Sequence, residues 1–541
     1  MNDDIDPEDA AALVQTGEWT PPRRRSQRLA TLPAPLVMPS SPASTSACFE
    51  YDIAWLRTFL SVEQKRCLAA IVACLLPNDS DNIEFSMGFF SELSSFLELE
   101  VFEFEPLLQS GRINPKPFLD DMELNTDDRC RLLATLLLFS ASTFQAYDAR
   151  IRVMLMSLCF LFGLSWKWMV AEEGALISAI ERNSLAANLS SSSKRSSKFK
   201  RYAKIGAAVV VSSSLFMVTA GIAAPALGAG LMAVGAGTGV GAFVSSVTGT
   251  ALVSALFGAT GGGLAGYKMN NRVRDIREFE FVPLFQNDNA HSSLMVTICV
   301  SGMLESAEYH DVWSSLSEQE FSSERYILKW ETEALINTGN GIKNFAKYQL
   351  GSAVFQETLK QTLLIGVMSA LAWPSAFITA SYLIDNPWSI ATSRADKAGI
   401  ILADALLSRP HGRRPVTLIG YSVGARMIYR ALLELSERRE DGKGIVQDAF
   451  LLGSPTSADP QKWLQMKSVV AGRLVNGYSK SDLVLKLIFR TASPSLTVSG
   501  LQPVDLETIE NVDLSAVVEG HHTYIAQLPE ILDAIHVTTR A

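Results

Sequence analysis

Serine, carboxylate and histidine, the side chains that together activate an alcohol, occur in that order in the C-terminal part of this 541-residue chain. The serine is Ser422, set between Gly420 and Gly424 in PVTLIGYSVGARMIYRALLEL, Pro415 to Leu435. A serine hydroxyl is a weak nucleophile until a base takes its proton. The Gly-x-Ser-x-Gly spacing alone says little, because chance supplies about one match in every four or five chains of this composition. Its surroundings say more. PVTLI is a buried-strand sequence. After Ser422, the apolar Val423, Met427, Ile428, Ala431, Leu432 and Leu435 recur at helical spacing. A strand-to-helix turn would hold Ser422 in a sharp bend above the sheet edge, and Gly420, Tyr421 and Gly424 would form that elbow.

The acid and the base should follow the nucleophile in that order. Asp448, Asp459, Asp482, Asp505 and Asp513 all lie downstream. Asp482, in NGYSKSDLVL, stands just past a strand candidate, where an orienting carboxylate emerges. A solvated loop aspartate is an equally common occupant of such a position. Three of the six histidines also lie downstream. His536, in LPEILDAIHV, falls on an apparent terminal amphipathic helix and suits a structural role. EGHHTY follows the strand-like VDLSAVV, so either His521 or His522 fits the loop after the last strand. An oxyanion developing on a substrate would be met by the backbone N–H of Val423 and by a second N–H near Met303, in the turn after TICVSG. This chemistry needs no metal or organic cofactor. The six cysteines are scattered, without the paired spacing of a metal site.

Strand and helix patterns alternate from about residue 276 to 541, which predicts an α/β domain with a mainly parallel sheet. The strand candidates are EFEFVPLF, LMVTICVSG, RYILKWET, PVTLIG, DAFLLGSP and AGRLVNGYS. An insertion around residues 340–395 contains the apolar, charge-free run Leu363 to Ile384, broken by Pro374. A single extra membrane span there would put the following strands on the wrong side. A lid-like helical pair over the site is therefore expected.

The earlier half is organised differently. Residues 1–46 are rich in proline, serine and charge and are expected to be a disordered tail, with Arg23 to Arg25 solvated within it. Its acidic start is unlike a secretory signal. Residues 47–193 carry a helical pattern. The dense apolar stretch Cys130 to Trp166 is interrupted by Arg131, Asp148, Arg150 and Arg152, which favours a buried bundle over a span. Residues 194–275 hold 63 consecutive positions, Ile205 to Tyr267, without one charge. About 20 apolar residues make one span, so two spans and a turn fit. Gly237 and Gly241, and Gly258, Gly262 and Gly266, have the four-residue spacing that lets helix backbones approach. Lysines and arginines flank both ends, which predicts a transmembrane hairpin with both ends in the cytosol. The net charge of −9 argues against a nucleic-acid partner, and the lone cysteines point to a reducing compartment.

TICVSGML, GYSVGAR, NGYSKSDLVL, GHHTY, YDARIRVMLM and the glycine-rich block together resemble the transmembrane and coiled-coil domain-containing protein four family. This family was long known only as a domain of unknown function, and its fungal members are described as candidate lipases. The likeness spans about Phe49 to Leu532. It implies an α/β-hydrolase fold joined to an N-terminal helical domain and a glycine-rich transmembrane helical hairpin. It also implies Ser422 as nucleophile, Asp482 as acid and, through its Gly-His-x-x-Tyr pattern, His521 over His522 as base. The expected function is a membrane-anchored serine hydrolase with a cytosolic catalytic domain, acting on lipid esters. A non-catalytic interaction platform on the same fold, and an acyl-protein thioesterase, are the alternatives.

Overall fold

Continuous β-branched and aliphatic runs can lie only where both faces of a sheet are covered, and such runs form the centre of the C-terminal unit. The computed structural model describes residues 55–109, 113–144, 146–177, 276–284, 293–316, 323–350, 375–486 and 497–537, with backbone alone at 345, 347–350 and 375–386. The expected tail, the charge-free block at 205–267 and most of the apolar run at 363–384 lie outside the described residues or their side chains. The chain divides into two compact units, one running to Gly261 and one from Gly262 to Arg540.

The first unit is helical where described. α1 (Val62–Leu75) begins at a capping box in which Ser61 and Gln64 each bind the other's backbone N–H. α2 (Ile83–Leu97), α3 (Thr126–Phe144) and α4 (Ala149–Leu161) follow. Arg152, one of the charges that interrupt the apolar stretch, is buried on α4 and forked onto Glu173 at 2.7 and 3.0 Å. Tyr147 donates to the same carboxylate at 2.7 Å. A buried arginine paired in this way belongs to a protein interior. No helix among the described residues is long and apolar enough to cross a membrane.

The second unit is mixed α/β around a seven-stranded sheet. Its strands are β1 (Phe279–Pro283), β2 (Val296–Val300), β3 (Glu324–Trp330), β4 (Val416–Tyr421), β5 (Val446–Leu452), β6 (Leu474–Tyr478) and β7 (Glu510–Asp513), in spatial order β1-β3-β2-β4-β5-β6-β7. β2 to β7 are parallel, and β1 runs antiparallel against β3. Every residue of β2, β4, β5 and β6 is buried. The chain leaves β2 toward β3 on one side and returns to β4 on the other. The carboxyl ends of β2 and β4 therefore flank the topological switch point, where ligand crevices form in such sheets.

Of the stretch at 340–395, the described residues belong to two helices, α5 (Thr332–Leu350) and α6 (Ser375–Leu407). α6 packs along α7 (Val423–Glu437), the helix that starts at the nucleophile candidate. A Cβ on Gly399 would lie 2.7 Å from Met427 O, so the two backbones nearly touch. Arg426 then grips Asp396 with two bonds of 2.8 Å. The expected strand at VDLSAVV is shifted. β7 stops at Asp513, and after Leu514, whose N–H donates to Tyr478 O at 2.7 Å, the chain forms a turn closed by Val518 N–H donating to Leu514 O at 2.7 Å. His536 stands just past the last helix, α8 (Leu528–Ala534), at a φ of 49°, rather than on it.

Candidate active site

β4 ends at Tyr421, and Ser422 follows with φ 56° and ψ −131°, a backbone conformation that costs a non-glycine residue about 1–3 kcal/mol. Two hydrogen bonds hold it there. Ser422 N–H donates to Leu452 O on β5 at 2.9 Å, and Ser422 O accepts from Arg426 N–H at 3.2 Å. The turn is also locked against the end of β2. A Cβ on Gly302 would lie 1.9 Å from Tyr421 O, and one on Gly424 would lie 2.4 Å from Val300 O. Only hydrogen fits at either position. Gly420 is crowded more softly, by the end of the Ile428 side chain. Tyr421 spans the gap with its hydroxyl, which donates to Met303 O at 2.6 Å. Burial pushes that phenol well above its usual range, so it stays a donor.

His521 lies in the single 3₁₀ turn after β7, and Asp482 lies just beyond β6. The structure brings both to Ser422. Ser422 Oγ is 2.6 Å from His521 Nε2, and His521 Nδ1 is 2.5 Å from Asp482 Oδ2. The second carboxylate oxygen of Asp482 accepts from Leu485 N–H at 2.9 Å, which fixes its plane. All three residues have 0% exposure. His522, the neighbouring ring, takes no part in this chain of bonds. It is partly exposed, and desolvation lowers its pKa.

The other acids sit elsewhere. Asp448 accepts from Arg473 N–H at 2.5 Å, and Asp459 caps the helix Pro460–Lys467. Asp513 pairs with Lys480, whose contact holds its carboxyl down at about 2. Asp505 is exposed.

Val423 is the first residue of α7, so its N–H lies at the positive end of that helix. The same Cβ placed on Gly302 would lie 2.6 Å from Val423 N, so the turn carrying Met303 adjoins it. Neither the Val423 N–H nor the Met303 N–H donates to an acceptor among the described residues. Among those residues no cluster of histidine, cysteine and carboxylate is arranged to hold a metal ion.

Two aromatic residues that the motif reading did not assign enclose His521. Trp388 of α6 stands edge-on to the imidazole with centroids 5.5 Å apart, and Tyr524 lies 5.5 Å away on another side. Tyr524 was legible as the last letter of Gly-His-x-x-Tyr, three residues along one turn. Trp388 precedes the serine by 34 positions and carries no local signal.

A family model described as Protein of unknown function (DUF726) matches residues 197–538. A rice (Oryza sativa subsp. japonica) protein named Transmembrane and coiled-coil domain-containing protein STS1 is 36% identical over 422 residues, which is 73% of this chain and 62% of the rice protein. A Caenorhabditis elegans protein, Uncharacterized membrane protein F35D11.3, is 35% identical over 455 residues, 81% of this chain and 70% of its own. The Saccharomyces cerevisiae protein Probable lipase MIL1 is 34% identical over 303 residues, 56% of this chain and 28% of its own. The chain thus spans less than two thirds of the rice relative's length. No solved structure matches it.

Proposed function

The chain belongs to the DUF726 family, and on that premise we propose that it is a membrane-associated serine hydrolase of α/β-hydrolase fold that cleaves carboxylic esters of lipids. The observation that carries the reading is the hydrogen-bonded series Ser422–His521–Asp482 on a strained turn at the sheet's carboxyl edge. In this reading His521 Nε2 takes the Ser422 proton as Oγ attacks the ester carbonyl. The carbonyl oxygen, now negative, is met by the N–H groups of Val423 and Met303. The tetrahedral species collapses when His521 returns the proton to the departing alcohol, leaving an acyl group on Ser422. Water, deprotonated by the same ring, then releases the acid. Asp482 keeps Nδ1 protonated, so that Nε2 faces the serine as a base, and it stabilises the imidazolium that forms.

Three features support lipid esters as substrates: the charge-free block at 205–267, the apolar run that leads into α6, and a relative named as a probable lipase. In the proposed topology the block is a hairpin with both ends in the cytosol, where the catalytic unit also lies. The complete burial of the three residues favours one rival, a non-catalytic platform on the same fold. A fluorophosphonate probe applied to the full-length protein separates the two. Labelling of wild type that is lost in Ser422→Ala is the expected result. A folded wild-type protein that never labels would leave the platform as the better reading.

A further inference from the structure

The turn that carries Met303 is bonded to two tryptophans, both with 0% exposure. Trp313 Nε1–H donates to Ser301 Oγ at 2.9 Å, and Trp330 Nε1–H donates to Ser301 O at 3.0 Å. A buried indole has one polar hydrogen and needs one acceptor for it. Both indoles direct theirs to the same residue, the first after β2 and two before Met303. The tryptophans stand 12 and 29 positions from Ser301, so tertiary structure alone brings them there.

Each tryptophan is itself held. Trp330 ends β3, and its backbone O accepts from the Tyr309 hydroxyl at 3.0 Å. Tyr309 and Trp313 begin and end one short helix, so this bond ties the helix to the strand. The Trp313 ring packs against Tyr421 with centroids 5.9 Å apart, and Tyr421 is the residue whose hydroxyl donates to Met303 O. Ser301 Oγ faces the same phenol, an interaction that opposes the upward push of burial on it. At the far end of the turn, Leu304 N–H donates to Leu335 O of α5 at 3.2 Å, and a Cβ on Gly339 would lie 2.2 Å from Leu304 O. Residues 301–304 are thereby fixed by β3, β4, α5 and the Tyr309–Trp313 helix. The Met303 N–H is left without an acceptor among the described residues. A rigid turn with a donor to spare is what stabilisation of a developing charge requires.

We infer that Trp313 and Trp330 are positioning residues for the oxyanion donor: through Ser301 they fix the direction of the Met303 N–H. The inference rests on the hydrolase reading above. It calls for an effect on rate and not on binding. The N–H meets charge that develops only as Ser422 attacks, so a tilted turn weakens the transition state and leaves the bound ground state alone.

The test is fluorophosphonate labelling of the full-length protein in neutral-detergent micelles, followed over probe concentration so that the maximal rate separates from the half-saturating concentration. Trp313→Phe and Trp330→Phe keep a ring and delete the N–H. Each should lower the maximal rate roughly tenfold to a hundredfold, with the half-saturating concentration within about twofold of wild type. Ser301→Ala removes the hydroxyl with the least change of volume and should fall in the same range. Joined to Trp313→Phe, it should be no slower than the slower single variant. Trp463→Phe is the control. That indole is equally buried and donates to Ser457 O at 2.9 Å rather than to the turn. Its loss should lower the urea midpoint comparably and leave the maximal rate unchanged. Wild-type maximal rates in the folded Ser301→Ala, Trp313→Phe and Trp330→Phe proteins would overturn the inference and leave the hydrolase standing. A change confined to the half-saturating concentration, or an equal rate loss in Trp463→Phe, would overturn it too. A folded wild type that never labels would instead remove the hydrolase reading, and the positioning role with it.

Discussion

The indole of Trp388 meets the imidazole of His521 at an interplanar angle of 70°, edge toward face, with 5.5 Å between centroids. Trp388 is buried, and the residue before it, Pro387, accepts from the Thr338 hydroxyl of α5 at 3.4 Å. The ring is therefore held from both helices, and it limits how far His521 can swing. Trp388→Ala should lower stability by about 3 kcal/mol in denaturant unfolding, as truncation of a buried tryptophan does. It should also slow fluorophosphonate labelling by about tenfold, because a misplaced base loses alignment with Oγ. Trp388→Phe keeps an aromatic edge and should label within about twofold of wild type. Equal rates for the two variants would exclude a positioning role for the indole.

Ser422, His521 and Asp482 should fail as one unit. Ser422→Ala removes the atom that labels, and His521→Ala removes the base hydrogen-bonded to it. Asp482→Asn should cut the labelling rate by roughly 10³–10⁴, since an amide at 2.5 Å from Nδ1 favours the wrong tautomer. The double variant His521→Ala/Asp482→Asn should be no slower than His521→Ala alone. His522→Ala should be mild. A dead His522→Ala with an active His521→Ala would reverse the assignment of the base.

How much of this was readable in the chain depends on how local each signal is. The strands of the sheet centre were plain, because parallel strands covered on both faces are buried at every position and so read as mainly apolar runs, as VTICV and the AFLL of VQDAFLL do. The edge strand β7, ENVD, has a neighbour on one side only among the described residues and is partly exposed, so the apolar end of VDLSAVV drew the strand too far along. Gly420 and Gly424 were legible because the serine between them marks the turn. Gly302 was not, since the oxygen that crowds it belongs to Tyr421, more than a hundred residues away. The choice among five aspartates and two adjacent histidines is likewise a matter of tertiary distance. Composition and order narrowed it, the family likeness selected, and the geometry at His521 Nδ1 brings in Asp482 alone.

Gly302→Ala should be among the most damaging single-methyl additions in the second unit. The new carbon would lie 1.9 Å from Tyr421 O and 2.6 Å from Val423 N, both backbone atoms of the turn that carries Ser422. Relief would require moving β2 away from β4, at a cost of about 2 kcal/mol or more. Gly88→Ala on α2 is the matched control. Nothing lies within 4 Å of its added carbon, so helix propensity alone should stabilise it by about 0.5–1 kcal/mol. Urea midpoints for both variants check the pair, and similar midpoints would refute the crowding argument.

His411 should give the protein a falling stability in mild acid. It is fully buried between the end of α6 and β4, and neither ring nitrogen has a partner among the described residues. Burial first, then Arg409 and Arg414, hold its pKa well below the usual value. The folded state therefore keeps the ring neutral at pH values where the unfolded chain binds a proton. Stability from this site is complete above about pH 6.5 and is lost as the pH falls from there toward the depressed folded value. The slope should approach about 1.4 kcal/mol per pH unit across that window. Denaturant titrations at pH 5 and pH 7.5 should show the loss in wild type and a smaller one in His411→Phe. An identical pH dependence in the variant would place the acid sensitivity elsewhere.

Membrane attachment should depend on the block at 205–267. Its 63 residues hold no charge, and lysines and arginines stand on both flanks, from Lys194 to Lys204 and from Lys268 to Arg277. A span needs about 20 residues, so an even number of crossings fits the length, and the basic flanks favour keeping both ends on one side. An odd number would put the helical unit and the sheet in different compartments. Full-length protein should stay in the pellet after carbonate extraction. Epitope tags placed at Asn2 and after Thr539 should both be digested when protease is added outside sealed organelles. Replacing 205–267 by a short glycine-serine linker should release the chain to the supernatant while leaving fluorophosphonate labelling intact, because Ser422, Asp482 and His521 all lie in the second unit. A protected C-terminal tag would overturn the hairpin in favour of an odd number of spans. Retention of the linker variant in the pellet would move the anchor to the apolar segment before α6.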